Sequence, residues 1–286
     1  MKNNNKITVS VIIPVFNRAT IIVRAIDSVL QQTLSANEII IVDDGSTDNL
    51  SQTLKQKYSN VKTIKILHQK NQGVSSARNN GIKKATSDYI ALLDSDDRWH
   101  KDKLSKQVAK IKDDLSIELI HSNEVWYRDN AILNQQKKHQ KYGGLIYDKC
   151  LKLCCISPSA VLIKKEVFYE IGFFDETMPA CEDYDYWLRF CSAKPVSFIN
   201  DPLIDKYGGH SDQLSKKYPK MDEYRIYSLD KMLKSKTLSP KNYNLTIENM
   251  QYRLNILIKG AIKRDKLDKI KIYQNLAKKY RILRIV

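Results

Sequence analysis

Tyr89-Ile-Ala-Leu-Leu-Asp94-Ser95-Asp96-Asp97 sets a short apolar run directly against three carboxylates. A brief apolar run with polar flanks reads as a buried β-strand. Carboxylates this crowded repel one another unless a cation sits among them. Oxygen-only ligands suit Mg²⁺ or Mn²⁺ shared with the phosphates of a substrate. The same residues also read as plain loop chemistry, with Asp97 capping a helix that starts near Arg98. Either way the acids fall at the carboxyl end of a strand.

Working outward, strands and helices alternate. Val9 to Phe16 reads as a buried strand closed by Pro14 and Asn17, and Ala19 to Gln32 carries Ile22, Ala25, Ile26, Val29 and Leu30 at helical spacing. Glu38 to Asp43 reads as a strand ending in the turn Asp43-Asp44-Gly45-Ser46-Thr47-Asp48. A helix over Asn49 to Lys57, a strand over Val61 to Leu67 and a helix over Gly73 to Ala85 follow. This alternation predicts βαβ units and a mostly parallel sheet in an α/β fold. Ligands of such sheets sit outside the carboxyl ends of the strands, so both acidic turns can face one crevice. Further strands are expected at Glu118 to Tyr127, Ser159 to Ile163, Val196 to Ile199 and Leu203 to Tyr207, with helices at Glu166 to Ile171 and Glu182 to Cys191. Beyond Ser211 the pattern is helical, with Ser239-Pro240 as a helix start.

The composition, 42% hydrophobic and 28% charged, is that of a globular chain, and no run reaches the roughly 20 apolar residues of a membrane span. The N-terminus runs straight into a strand and shows no signal-peptide pattern. Five cysteines lack paired Cys-x-x-Cys spacing, which points to reduced thiols in the cytoplasm rather than disulfides or zinc. The net charge of +16 is uneven: residues 214–286 hold 19 Lys and Arg against 6 Asp and Glu. That asymmetry argues for two parts with different jobs, 1–213 and a basic helical extension, 214–286.

Six motifs now stand in order: Val9-Ser-Val-Ile-Ile-Pro-Val-Phe-Asn17, Val42-Asp-Asp-Gly-Ser-Thr-Asp48, Gly73-Val-Ser-Ser-Ala-Arg-Asn-Asn-Gly81, Asp94-Ser-Asp-Asp97, Gly172-Phe-Phe-Asp-Glu176 and Glu182-Asp183. Together they resemble the family 2 glycosyltransferases of the GT-A fold, over roughly residues 7 to 210, which implies that 1–213 is a catalytic unit with a nucleotide-binding half, 1–100, and an acceptor-binding half, 101–213. The resemblance implies an inverting transfer of a sugar from a nucleotide diphosphate, usually UDP, with Mn²⁺ or Mg²⁺. It implies surface-polysaccharide or glycolipid biosynthesis as the setting, with a glycan or lipid-linked acceptor.

Each motif then has an expected role. A divalent cation would stabilise charge on the departing diphosphate, with Asp96 as direct ligand and Asp94 on the ribose or a metal-bound water. Pro14, Phe16, Asp43, Asp44, Arg78, Asp94 and Ser95 form the expected nucleotide-binding set. In it Asp44 meets the base, Phe16 stacks on the ring and Arg78 clamps phosphate or ribose oxygens. The catalytic acidic pair is Glu182 and Asp183, with Asp183 taking the acceptor's proton. Asp185 and Arg189 share a helix face and should pair. Trp187 either lines the acceptor pocket or packs in the core. His210, after the last core strand, is a further candidate metal ligand or a structural residue.

The basic tail can lie on an anionic membrane surface at the inner face of the plasma membrane, at about 1 kcal/mol per Lys or Arg, or form a solvated helical cap. It lacks a nucleic-acid-binding motif, which argues against that class of partner. Two other readings are open. A nucleotidyltransferase would show a glycine-rich basic loop at its N-terminus, absent here. An inert docking protein would not need the acidic motifs.

Overall fold

The computed structural model describes residues 6–129, 131–209, 217–218 and 220–282. Strand β1 (Val9–Val15) is buried along its whole length, as suits a β-branched run covered on both faces. Helix α1 (Ile22–Leu30) leads to β2 (Glu38–Asp43), and α2 (Leu50–Tyr58) to β3 (Ile64–His68). Helix α3 (Val74–Lys84) leads to β4 (Tyr89–Leu92). Strands β2 and β4 flank β1, and all four strands are parallel. The order β3-β2-β1-β4 reverses direction at β1, so a switch point lies between β1 and β4. Helices α1 and α2 cover one face and α3 the other, the arrangement that right-handed crossovers require. Gly81 lets α3 lie close on the sheet, since a Cβ there would stand 2.5 Å from Ile12 Cγ2.

Pro14 sits within β1 opposite Val42. Pairing of β1 with β4 ends at Ile12, whose carbonyl accepts from Leu93 N at 3.0 Å. Pro14 has no N–H to continue that ladder. Pairing of the two strands stops there, at the switch point where sheets of this kind form a crevice outside the carboxyl ends of their strands.

The later elements are β5 (Arg98–Trp99), α4 (Lys103–Asp113), β6 (Leu119–Arg128), β7 (Ala131–Ile132), α5 (Tyr147–Lys152), β8 (Leu162–Lys164), α6 (Val167–Glu170), α7 (Glu182–Ala193) and β9 (Ser197–Gly208). They extend the sheet in the order β4-β8-β6-β9-β5, with β7 folded back on β6. Between Ser122 and Glu124, two steps along β6 match five along β9, from Ile199 to Ile204. The odd surplus swaps the faces of β9, so Lys206 comes to share a face with its partner Trp126 and with Glu124.

Three expectations are corrected here. Arg98 does not start a helix: Arg98 and Trp99 pair with Asp205 and Ile204, and the Arg98 guanidinium grips Asp205 Oδ2 at 2.8 and 2.5 Å. The two strands expected between Val196 and Tyr207 are one kinked strand. The stretch expected as a strand from Ser159 begins as a 3₁₀ turn, Pro158–Ala160.

The chain then forms α8 (Met221–Lys234), α9 (Pro240–Lys263) and α10 (Leu267–Ile282). Helix α9 starts as the sequence foretells, with Ser239 Oγ accepting from Asn242 N at 3.2 Å. The apolar sides of these helices, including Leu229, Met250, Leu254 and Tyr280, join the core on the α3 face. Buried Arg253 pins α9 inward: it pairs with Asp222 at 2.6 Å and donates to the carbonyls of Leu151 and Lys152 at 2.8 Å each. Among the described residues no helix is long and apolar enough to cross a membrane.

Candidate active site

The crevice is built from the carboxyl ends of β1, β2 and β4. Phe16 leaves β1 with 44% of its surface exposed, so its ring is not core. Asn17 turns the chain at φ 51° and accepts from Thr47 N at 2.7 Å, while Ser46 and Asp48 accept from the backbone of Asn17 and Ala19. The Asp43–Asp48 turn is thereby tied to the end of β1. Asp43 accepts from Ser46 N and meets His68 Nδ1 at 3.1 Å. Asp44 is buried and fastens the segment before α3, accepting from Gln72 N, Gly73 N and Gln69 Nε2 at 2.8–2.9 Å.

The three acids after β4 turn to three different partners. Asp94 meets Arg78 Nη2 at 2.6 Å, and Asp96 meets Arg18 Nη1 at 2.8 Å. Asp97 accepts from Ser159 Oγ at 2.5 Å and from Tyr207 N at 3.3 Å. Asp97 is therefore no helix cap; with β5 following it directly, there is no helix to cap. Burial would raise Asp94, but Arg78, Lys206 and Arg18 hold it below the usual carboxylate range. Asp97 is pushed up to about 8: burial raises it, and Asp96 and Asp94 add to this against the pull of Lys206. Ser95 is buried, with Arg18 Nη1 at 3.4 Å from its Oγ.

Arg78 spans the crevice. Its other nitrogen, Nη1, donates to Glu182 at 2.7 Å, and its guanidinium lies 5.4 Å from the centre of the Phe174 ring. The next residue, Asn79, exchanges hydrogen bonds with the Phe174 backbone at 2.8 and 3.0 Å. The Gly73–Gly81 and Gly172–Glu176 motifs are thus docked on each other. In this arrangement Arg78 faces carboxylates rather than standing open for a phosphate. Glu182 is buried against it, and its carboxyl is raised by burial and by Asp183, with Arg78 opposing.

Asp183 is placed differently. One oxygen accepts from Tyr184 N at 2.7 Å and the other from the Cys154 thiol at 3.2 Å. Burial, reinforced by Asp183, raises that thiol far above its ordinary range, so it stays a neutral donor. Asp183 borders a cavity of about 240 Å³ shared with Glu124, Trp126, Lys141, Cys154 and Lys206. Glu124 holds Trp126 Nε1 at 2.7 Å and Lys141 at 3.0 Å. Despite burial, Lys141 and Lys206 pull Glu124 down to about 2. Lys206 is raised, since Asp97, Glu124, Asp94 and Asp96 outweigh its burial. Its charge therefore acts on both the crevice and the cavity.

Of the two roles open to Trp187, the structure gives the core one and not the acceptor-lining one: it packs at 1% exposure against Phe174 and Tyr186. Pro14, expected in the nucleotide-binding set, is buried in β1 where the pairing with β4 ends. Asp185 pairs with Arg189 at 3.0 Å as expected, and also with Lys231 at 2.9 Å. His210 lies outside the described residues. Sequence reading missed Arg18, Glu124, Lys141, Cys154, Ser159 and Lys206. Arg18 alone had a local signal, as a cation directly after a strand end.

Among the described residues no three carboxylate, imidazole or thiol groups converge as a metal cage. The donor set at Asp94 and Asp96 fits a cation that takes one or two protein carboxylates and completes its shell with diphosphate oxygens.

A family model for glycosyl transferase family 2 matches residues 10–172. An uncharacterised glycosyltransferase of Rickettsia conorii is 35% identical over 70% of this chain, but the match spans only 32% of that protein's length. WfgD of Escherichia coli, a UDP-Glc:α-D-GlcNAc-diphosphoundecaprenol β-1,3-glucosyltransferase, is 32% identical over 68% of this chain and 74% of its own. The crystal structure of Staphylococcus aureus TarS 1–349 with UDP-GlcNAc superposes with a TM-score of 0.66 at 16% identity, covering 96% of this chain and 92% of that one. The expected GT-A fold is borne out.

Proposed function

The chain belongs to glycosyl transferase family 2, and on that premise we propose that it moves a sugar from a UDP-sugar to an acceptor hydroxyl with inversion, in surface-polysaccharide or glycolipid synthesis. The named substrates of WfgD and the UDP-GlcNAc bound to TarS support the donor class. The diphosphoundecaprenol acceptor named for WfgD supports a lipid-linked acceptor; we set the meeting of enzyme and acceptor at the inner face of the plasma membrane.

One observation carries this reading: Arg78 joins Asp94 to Glu182, and the residue after Glu182, Asp183, lines the cavity, which supports Asp183 as the group that faces the acceptor. In the proposed reaction Phe16 stacks on uracil, the Asp43-Asp44 turn frames the base, and Asp94 holds the ribose. The acceptor hydroxyl enters from the cavity and attacks the anomeric carbon opposite the leaving diphosphate. Asp183 takes its proton through the oxygen now held by Cys154, a weak donor that yields readily. Asp96, with Asp94, would hold Mn²⁺ or Mg²⁺, which when bound neutralises charge on the diphosphate.

The test is a screen of nucleotide-sugars with and without Mn²⁺, read by thermal shift and then by transfer. Asp183→Asn should bind UDP like the parent and lose transfer by roughly 10²–10⁴-fold. Parent-like turnover in that variant moves the base elsewhere. Asp96→Ala should lose Mn²⁺-dependent UDP binding, and unchanged binding refutes the metal assignment.

A further inference from the structure

Helix α9 has an inner and an outer side with different chemistry. Its inner side carries Arg253, which holds the carbonyls of Leu151 and Lys152. Thr246, also on that side, bonds Tyr147 of α5 at 2.7 Å. The chain that follows α5 supplies Leu153 and Cys154 to the wall of the cavity beside Asp183. The outer side is therefore held in a fixed relation to that cavity.

The outer side exposes large apolar residues: Tyr252 at 63%, Ile256 at 42% and Ile262 at 58%. Lys259 and Lys263 lie among them at helical spacing; exposed Lys266 follows in the turn before α10, between the exposed Asp265 and Asp268. All three lysines are exposed, and none joins an ion pair among the described residues. From Asn249 to Arg264 the sequence contains no Asp or Glu.

We propose that this face of α9 docks on an anionic lipid surface, with Tyr252, Ile256 and Ile262 entering the interface and Lys259, Lys263 and Lys266 meeting the headgroups. Interleaving decides between occupants. An interface with a second copy would gather its apolar residues and deplete lysine at its centre. A polyanion would leave the isoleucines unused. Lysine stems can lie along apolar surface while their ammonium groups reach phosphates, which makes a mixed face suited to a membrane surface. The inference deepens the reading of a lipid-linked acceptor, because α9 would set the cavity at a fixed height above the bilayer.

Co-sedimentation of the full chain with vesicles tests it without any sugar donor, so its outcome is separate from that of transfer. Binding is expected to vesicles of phosphatidylcholine and phosphatidylglycerol in equal parts, to weaken with salt, and to be absent with phosphatidylcholine alone. Lys259→Glu with Lys263→Glu and Lys266→Glu should weaken binding by about a hundredfold or more, at about 1 kcal/mol per lysine. Ile256→Ser with Ile262→Ser should weaken it too while keeping the salt dependence. Both variants should keep the parent's melting temperature and UDP affinity. Equal binding to both vesicle types, or undiminished binding by both variants, overturns the proposal. So does a dimer in solution that Ile256→Ser with Ile262→Ser dissolves, or binding to RNA in place of vesicles.

Discussion

Asp97 and Glu124 are both buried carboxyls in the field of Lys206, yet they are driven in opposite directions, to about 8 and to about 2. The difference lies in how each region is assembled. Asp97 is buried in one short loop with Asp94 and Asp96, so burial and then its two acidic neighbours raise it. Glu124 receives lysines from two other segments, Lys141 and Lys206. The acceptor side is thus neutralised by its own residues. The donor side keeps surplus negative charge, as expected of a place that a cation and a diphosphate complete together.

Arg78 ties the two regions, and removing it gives the largest expected effect. Arg78→Met leaves Asp94 and Glu182 without their shared cation, which should cost about 3–5 kcal/mol. A chain of this size should then melt about 10 °C lower. A melting temperature within a degree or two of the parent's, with transfer lost, would mean that Arg78 serves the substrate alone.

The opposed carboxyls give the next test. Between pH 3.8 and about 8 the folded protein keeps a proton on Asp97 that the unfolded chain has released. Stability of the metal-free protein should therefore fall as pH rises through that window, and Asp97→Asn should flatten the fall. Glu124 contributes stability above pH 4.5 that is lost as pH drops toward 2. Glu124→Gln should remove that acid-side loss, at a lower overall stability because Lys141 is left buried. Thermal melts across the acid and neutral range would decide; parallel profiles in the two variants would erase the contrast. The smallest effect is expected from Phe16→Ala. Losing a stacked base should weaken UDP binding by about 1–3 kcal/mol with an unchanged melting temperature. A fall in melting temperature would make the ring a packing residue.

The donor half was largely legible because its determinants are local. β2 falls on Glu38–Asp43 as read, and the carboxylates after β4 stand where the strand ends. Errors began where a partner lies far along the chain. Arg98 is drawn into a strand by Asp205, and Asp97 is claimed by Ser159 and Tyr207. Helical spacing correctly paired Asp185 with Arg189, but it could not show that the face carrying Trp187 meets Phe174. Glu124, Lys141, Cys154 and Lys206 carry no motif. They become a site only through the β6–β9 pairing, the segment before α5 that carries Lys141 and the turn after α5 that carries Cys154.

The register shift between β6 and β9 behaves like a change of reading frame. Before it, even-numbered residues of β6 share a face with odd-numbered residues of β9; after it, Glu124 and Trp126 stand with Ile204 and Lys206. Removing one residue between Ile199 and Pro202 would restore the earlier frame. Lys206 would then leave the cavity, and a neighbour such as Asp205 would bring an acid to the place where Asp97 and Glu124 now share a cation. Changing the same segment by two residues would keep the frame. Length in this stretch is therefore constrained by parity more than by size.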